Sequence, residues 1–519
     1  MTKSISCGGF ILGLFFALPA FSQYAGDVFR YSEVNQNGTA RFQGLGGNHA
    51  AIGGDASSLF GNPAGLGFYS RSEIAISPAV TSVNNKTTYI GDVNSSGKGN
   101  FNIAHASAIF TSQPGFQRKW KRSSFGIAYS RQQSFREVYN YTGYNTKSAY
   151  VNKVAEDVNR GGGISTAQLE ADFDAGTASM GPLAYSLPSA YYNMYLINPT
   201  GVNGPPYVPL DNSSALEQVG SYSATGANTQ WSLSYAGNYD DKLYVGATIG
   251  FSRIKYDYDR LFTDIYVDSP DIIAVDQQDG LSVRGNGANL SFGVIYKLNP
   301  SLQLGGVLTS PTWSSIKETF SQGVGADFVD GKIPAGPEGA LVPAPYDFIP
   351  VKANEFVYRI SSPFKGSFGA TYFVKGNGFI TGSLEYVGYG AMRANTSYLS
   401  DADNTAFKDE TVQEIKDAYR NTVNVRVGGE YRAGLFRGRV GAAYIADPYL
   451  ERADIDRSKL VFSAGVGVRN DRFFADVAGT LTTFKSAYTP YFLNNPADYS
   501  SVIISNRTVN VMLTVGTFF

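Results

Sequence analysis

Residues Asn421–Ala433 read Asn-Thr-Val-Asn-Val-Arg-Val-Gly-Gly-Glu-Tyr-Arg-Ala. In an extended chain successive side chains point to opposite faces. On that period Val423, Val425, Val427 and Tyr431 share one side, while Asn424, Arg426, Glu430 and Arg432 share the other. Arg507–Phe519 repeats the scheme, with Val509, Val511, Leu513, Val515 and Phe519 opposite Asn510, Thr514 and Gly516. Alternation over about ten residues marks a strand between lipid and a wet lumen, whereas sandwich strands run to about 5–6 residues.

About 14 segments carry this signature. They are Ser72–Val83, Phe101–Phe110, Ser123–Phe135, Thr229–Tyr239, Lys242–Tyr258, Val283–Leu298 and Leu302–Phe320 in the first half. Glu355–Val374, Gly378–Arg393, Asn421–Ala433, Leu435–Asp447, Ser458–Asn470, Arg472–Phe484 and Arg507–Phe519 complete the set. Short connections (Asp240-Asp241, Asn299-Pro300-Ser301, Lys375-Gly376-Asn377, Gly434, Asn470-Asp471) alternate with long ones. The long ones are Arg136–Asn228, Asp259–Ser282, Ser321–Asn354, Ala394–Arg420 and Lys485–Asn506, residues 136–228 being the largest. Short periplasmic turns alternating with long extracellular loops predict an all-β fold, a 14-stranded antiparallel transmembrane β-barrel over residues 72–519. Thr111–Arg122 departs from the pattern, and its Arg118, Lys119, Lys121 and Arg122 read as a solvated turn.

Composition agrees. Of 519 residues, 43% are hydrophobic and only 16% charged, against about 25% charged in ordinary soluble domains. A net charge of −1 gives no pull on nucleic acid. Two His and one Cys leave little for a metal site, a cofactor or acid–base chemistry, so no enzyme is expected.

The first residues read as an export signal. Lys3 supplies the positive end, Phe10–Leu18 the apolar run, and Pro19-Ala20-Phe21-Ser22 a small-residue exit, placing cleavage near Ser22/Gln23. Cys7 falls inside this signal (residues 1–22), so the exported chain would carry no cysteine. No later apolar run reaches the about 20 residues of a membrane helix. The location expected is the Gram-negative cell outer membrane, and the protein is expected to act as a monomer among outer-membrane lipid.

Residues 23–71 lack alternation. Asp55 is placed to cap a short helix through Leu59, with Gly61 ending it and Pro63 preventing its resumption. The glycines at 44, 46, 47, 53 and 54 have neither a preceding strand nor a following Lys-Ser or Lys-Thr, so a nucleotide loop is not expected. A segment of this size ahead of a barrel is expected to pack in the lumen as a plug.

Asp55-Ala56-Ser57 leading to Asn62-Pro63-Ala64-Gly65-Leu66 resembles the N-terminal hatch motif of the FadL/TodX outer-membrane transport family. Ser310-Pro311-Thr312 with Ile316-Lys317, Ser362-Pro363-Phe364-Lys365 with Gly369, and Val427-Gly428-Gly429-Glu430-Tyr431 are similar to that family as well. The resemblance implies a 14-stranded barrel closed by a hatch and passive uptake of long-chain fatty acids or other hydrophobic small molecules. Ligand would be captured on extracellular loops and released sideways beside a kinked third strand, here Ser123–Phe135 with Gly126 as the bend. Phe519 resembles the terminal aromatic read by the barrel-assembly machinery. The alternative for this architecture is a PorV-like barrel binding protein cargo or partners in type IX secretion.

Two loop segments read as helices, Ala149–Val158 with Val151, Val154 and Val158 on one side, and Thr405–Tyr419 with Phe407, Thr411 and Ile415 in step. In the longest loop Leu187, Tyr191, Tyr192, Tyr195 and Leu196 are candidates for ligand capture or for the packing of a self-contained lid. Arg426, Glu430 and Arg432 are candidate lumen charges, to hold a carboxylate or to pair with one another or the plug. His49 and His105 have no Ser or Asp partner at catalytic spacing.

Overall fold

Fourteen strands close into one antiparallel barrel in the computed structural model, which describes residues 21–33, 38–112, 118–335, 340–374, 376–450 and 455–519. They are β1 (Glu73–Tyr89), β2 (Asp92–Ser112), β3 (Trp120–Ser134, resuming as Glu137–Asn145), β4 (Ala215–Tyr239) and β5 (Leu243–Val267). Next come β6 (Ile272–Asn299), β7 (Leu302–Thr309 and Trp313–Phe328), β8 (Phe348–Ser361 and Lys365–Val374), β9 (Gly378–Val387) and β10 (Thr422–Ala433). The last four are β11 (Phe436–Ile445), β12 (Lys459–Arg469), β13 (Phe473–Tyr488) and β14 (Val502–Phe518). A ladder from Glu73↔Phe518 to Thr88↔Ile503 joins β1 to β14 and leaves the sheet no free edge there. The expected export signal up to Ala20 lies outside the described residues.

The alternation sorts side chains as anticipated. Ile249, Phe251, Phe292, Ile380, Val440 and Val466 are exposed on the outside, and Thr248, Ser291, Gln303, Thr371, Asp476 and Thr514 are buried on the inside. That inversion of a soluble protein suits a wall whose solvent is lipid.

Strand height is uneven. β9 and β11 have 10 residues each, enough for about 25 Å of bilayer at about 40° tilt. β4, β5 and β6 run to 25, 25 and 28 residues and project far beyond it. Most of Asp259–Ser282, expected as a loop, therefore continues the ladder from Asp259↔Gly280 to Ile265↔Ala274. The cause is the inward row Phe262, Tyr266 and Val275, which packs against the extracellular cap and makes further strand worthwhile. β7 and β8, expected as unbroken, are interrupted side by side at Ser310-Pro311-Thr312 and Ser362-Pro363-Phe364. Proline supplies no ladder donor, and Thr312 N–H to Ser362 Oγ (2.8 Å) with Ser362 N–H to Thr312 O (3.0 Å) bridges the breaks.

The cap contains α3 (Tyr150–Asn159), α4 (Thr166–Met180), α5 (Leu187–Asn193) and a small hairpin, Ile197–Gly201 with Gly204–Pro209. Val151, Val154 and Val158 bury the face read from the sequence. Between β9 and β10, α6 (Asp401–Ala418) buries Phe407, Thr411 and Ile415. In the N-terminal segment, α1 (Phe21–Ser32) and α2 (Ala40–Gly44) precede two single-turn helices, Ala56–Leu59 and Pro63–Phe68.

One stretch of wall is incomplete. The β2–β3 ladder runs only from Ser112↔Ser123 to His105↔Ser130. Where it stops, β1 carries Pro78, and Ala104 is skipped between Ser77↔His105 and Pro78↔Ile103. β3 slips register between Arg131 and Gln133, breaks at Phe135-Arg136, and resumes against β4 alone. Its second half crosses the lumen side of the β1–β2 hairpin, where Asn85 Nδ2 donates to Val138 O (2.9 Å) and Thr87 Oγ1 to Asn140 O (2.6 Å). Gly126, the expected bend, is regularly paired with Ile109 and Ser234, and its missing side chain makes room for Leu59. The bend is instead opposite Gly226, with φ +116° and space for no Cβ, since one would lie 2.0 Å from Lys255 O. Gly226→Ala should destabilise the folded barrel by about 2–3 kcal/mol. Urea unfolding followed by tryptophan fluorescence checks this; an unchanged midpoint refutes the assignment.

Candidate functional site

The lower lumen is filled by residues 38–69, which bond to strands all around the ring. Ala40 N–H donates to Thr514 Oγ1 on β14 (2.7 Å) and Gly46 N–H to Ser463 Oγ on β12 (3.1 Å). Asn48 Nδ2 reaches Arg426 O on β10 (3.2 Å). Thr371 Oγ1 of β8 donates to Ala51 O (2.9 Å), and Ser234 and Thr248 of β4 and β5 both donate to Leu59 O, at 3.0 and 3.1 Å. Close approach needs small wall residues: a Cβ on Gly293 would meet Asn62 Oδ1 at 1.9 Å, and one on Gly305 would meet Ala50 O at 1.9 Å.

The Asn62-Pro63-Ala64-Gly65 motif is the seat. Asn62 is fully buried; its Nδ2 donates to Ala50 O (2.6 Å), Gly306 O (3.2 Å) and Val294 O (3.3 Å), while its Oδ1 accepts from Ala64 N–H (3.1 Å). Asp55 caps Ala56–Leu59 through Ser57 N–H (2.9 Å), as the sequence indicated. Pro63, expected to prevent the helix from resuming, instead begins Pro63–Phe68 at its first turn, where a missing N–H costs nothing.

Charge fastens the segment to the wall. Glu430 receives Arg41 (3.1 Å), Arg439 (2.8 Å) and Arg432 (2.8 Å), and Arg439 also binds Asp476 (2.5 Å). Arg426 pairs separately with Glu385 (3.0 Å), which also accepts from Asn424 Nδ2 (3.1 Å). The three candidate lumen charges thus lie inside, in two networks. Arg439, Asp476 and Glu385 were missed by the sequence reading, although each falls on the inward parity of its strand. His49 is buried in the segment, and burial lowers its imidazole from the usual 6.5 to about 4, with Glu385 opposing and Arg426 reinforcing the effect. His105 is buried where the β2–β3 ladder ends, 5.6 Å from the Phe60 ring.

Above, α1 occupies the upper lumen among aromatic rings. Phe29 stacks on Tyr419 (4.7 Å), and Tyr24 meets Phe356, Tyr358 and Phe407 at 5.2–5.3 Å. The cap closes over this layer. Tyr191 and Leu196 are fully buried in its core, Tyr191 donating to Gln277 Oε1 (3.0 Å); Leu187 and Tyr192 are partly buried, and Tyr195 is 39% exposed. The apolar stretch is therefore mainly lid interior, with Tyr195 its outward member.

Between α1 and the Gln43–Gly47 turn lies a cavity of about 510 Å³, extending to the incomplete wall at Asn102, Ala104 and Gln133. Phe29, Phe135 and Tyr389 give it an aromatic side, and Arg136, Lys365 and Arg426 a cationic one. Its carboxylates, Glu33, Glu137 and Glu385, are in part committed: Glu33 to Lys459 and Glu385 to Arg426. Among the described residues Lys365 and Arg136 have no ion pair. An amphiphile with an apolar body and an anionic head fits this arrangement.

The same architecture occurs in solved structures. A Pseudomonas aeruginosa FadL homologue matches with TM-score 0.54 and 12% identity over 93% of this chain and 99% of that one. The P. putida toluene transporter TodX matches with TM-score 0.51 and 12% identity, covering 93% and 99%. The CymD monoaromatic hydrocarbon channel matches with TM-score 0.50 and 12% identity, covering 94% and 99%. The fold is that of the FadL/TodX-type barrels. No protein-family model and no curated protein matches the chain.

Arg41→Met removes the segment's ion pair to Glu430 and should loosen it by about 1–3 kcal/mol. The expected readout is a leak current in planar bilayers above that of the wild type. His49 has a folded pKa below its unfolded one, so its contribution is complete above about pH 6.5 and is lost as pH falls toward 4. The thermal midpoint, read by heat-modifiable gel migration, should fall across that window, and less so in His49→Gln.

Proposed function

We propose that this FadL/TodX-type barrel is an outer-membrane channel for passive uptake of hydrophobic small molecules, with long-chain fatty acids as its ligands. The observation that carries the reading is the cavity in which Lys365 makes no close ion pair among the described residues, its neighbouring carboxylate Glu385 being bound to Arg426, while aromatic rings line the other side. A neutral hydrocarbon has no use for a desolvated ammonium group; a carboxylate gains a charge-assisted bond from it. The acyl chain would lie against Phe29 and Phe135, at about 0.8 kcal/mol per buried CH₂. Residues 23–71 serve as the hatch, which turns ligand away from the periplasm. The interrupted wall beside Ala104 and Gln133 supports release sideways into the bilayer, so a greasy solute need not cross the polar outer leaflet.

A protein-cargo role needs an apolar surface on the cap. The burial of Tyr191 and Leu196 favours the small-molecule reading.

The test is equilibrium binding of a fluorescent long-chain fatty acid to the refolded barrel, with oleate and toluene as competitors. Saturable binding displaced by oleate, and weakened about tenfold or more in Lys365→Gln, is expected. Equal displacement by toluene together with an unaffected Lys365→Gln variant refutes the carboxylate ligand; no binding by folded protein refutes the channel for fatty acids. Ala104→Trp should fill the side opening and slow uptake into vesicles by about tenfold while binding persists.

A further inference from the structure

The outer wall carries a second cavity, backed by the β13–β14 stretch at Phe484, Lys485 and Asn506 that also borders the lumen cavity. Lys86 on β1 is opposite Ser505 on β14, and Ser505 is opposite Lys485 on β13. Arg507, the next outward position on β14, is opposite Asn84 and Thr483. Lys86, Lys485, Ser505 and Arg507 are exposed, whereas the alternate residues Asn85 and Asn506 are buried, so all four face away from the lumen. With strands about 4.8 Å apart and same-face residues about 7 Å apart, the three cations form a tight triangle around Ser505. They line a depression of about 780 Å³, whose walls include Asn84, Thr483 and Leu460 and whose one acid among the described residues is Asp456.

Three features distinguish this patch from ordinary surface charge. Among the described residues none of the three cations has an ion pair. By contrast, the other outward basic row, Lys255, Arg284 and Lys317, is matched by Asp257 and Glu355 at 3.9, 2.7 and 3.0 Å. The patch also stands at one height: from Thr517 to Arg507, β14 climbs about 26 Å along the membrane normal, at about 3.4 Å per residue and about 40° tilt. That is the height of the apolar band, so the cations stand where the outer-leaflet headgroups begin. Directly below them Val509, Val511, Leu513 and Val515 continue the same face as an apolar strip.

We propose that this depression binds a phosphorylated lipid of the outer leaflet, its phosphate oxygens held by Lys86, Lys485 and Arg507 and its acyl chains laid along β14. Anionic groups at a membrane surface gain roughly fivefold in binding per Lys or Arg, so three unpaired cations provide on the order of 100-fold. Asp456 at the rim keeps the site from being uniformly basic and sets the headgroup's orientation.

The experiment titrates the full-length barrel, in neutral detergent, with hexa-acyl bisphosphorylated lipid A and counts bound lipid by native mass spectrometry. Wild type and the control variant Lys255→Gln/Arg284→Gln/Lys317→Gln should each hold one lipid tightly. Lys86→Gln/Lys485→Gln/Arg507→Gln should bind on the order of 100-fold more weakly, and the single variants Lys86→Gln and Arg507→Gln roughly fivefold, which keeps the test decisive if the triple variant does not fold. Dephosphorylated lipid A should not compete. Equal binding by wild type and the folded variants, equal competition by the dephosphorylated lipid, or displacement by equimolar inorganic phosphate would overturn the proposal.

Discussion

A backbone N–H or C=O in hydrocarbon has no water to bond, and each one left alone costs several kcal/mol. That constraint shapes the whole molecule. It makes the sheet close through the β1–β14 ladder rather than end at an edge. It also explains why the interior is polar: the lumen is the only place where the strands' second faces meet hydrogen-bonding groups. Residues 38–69 exploit this by donating to and accepting from wall residues on eight strands, so that irregular backbone at membrane depth is satisfied by protein.

The same constraint bears on the interrupted wall. Parting β2 from β3 above His105↔Ser130 frees a row of backbone groups, which an open edge in lipid would leave unsatisfied. The second half of β3 meets part of that demand by another route. Side chains do the bonding there: Ser96 Oγ accepts from Asn140 N–H (3.1 Å), and Asn94 Nδ2 donates to Thr142 Oγ1 (3.1 Å). The hairpin is thereby braced from within, and the break in the ladder is set by strand geometry. It follows from Pro78, which breaks the β1–β2 register, and from Gly226, which alone tolerates its backbone angle.

The strand count was legible because period-2 alternation is enforced by lipid outside and water inside, so every spanning segment repeats it. Strand ends were less so. Above the bilayer the outside face no longer has to be apolar, and Asp259 and Arg260 looked like loop although their ladder continues. The N-terminal motif was visible as composition, yet Pro63 misled: its role depends on whether it follows a helix or begins one, and Asn62 as cap decides that only in three dimensions. Gly126 and Gly226 are both glycines in strand-like sequence. One leaves room for Leu59 and the other bends the chain, and no local pattern separates the two. The lumen charges could be assigned to the inside by parity, but partners contributed by remote strands, such as Asp476 for Arg439, have no signature in either local sequence.

Pairing, more than position, separates the lumen charges that hold the structure together from those open to a ligand. Glu430 was open in sequence to binding or to pairing with its neighbours or the plug, and the structure shows the pairing: three arginines surround it, one of them from the N-terminal segment. A ligand carboxylate would have to displace Glu430 from Arg41, which would unfasten that segment. Arg426 is engaged by Glu385 and is available only in competition with it. Lys365, on β8 diagonally across from Glu385 of β9, makes no close ion pair among the described residues and shares that carboxylate's field with Arg426. A half-buried ammonium group whose nearest carboxylate is already bound to an arginine is only partly compensated. Among these lumen cations Lys365 is therefore the one least committed to holding the structure together, whereas Arg426 and the arginines around Glu430 are fasteners.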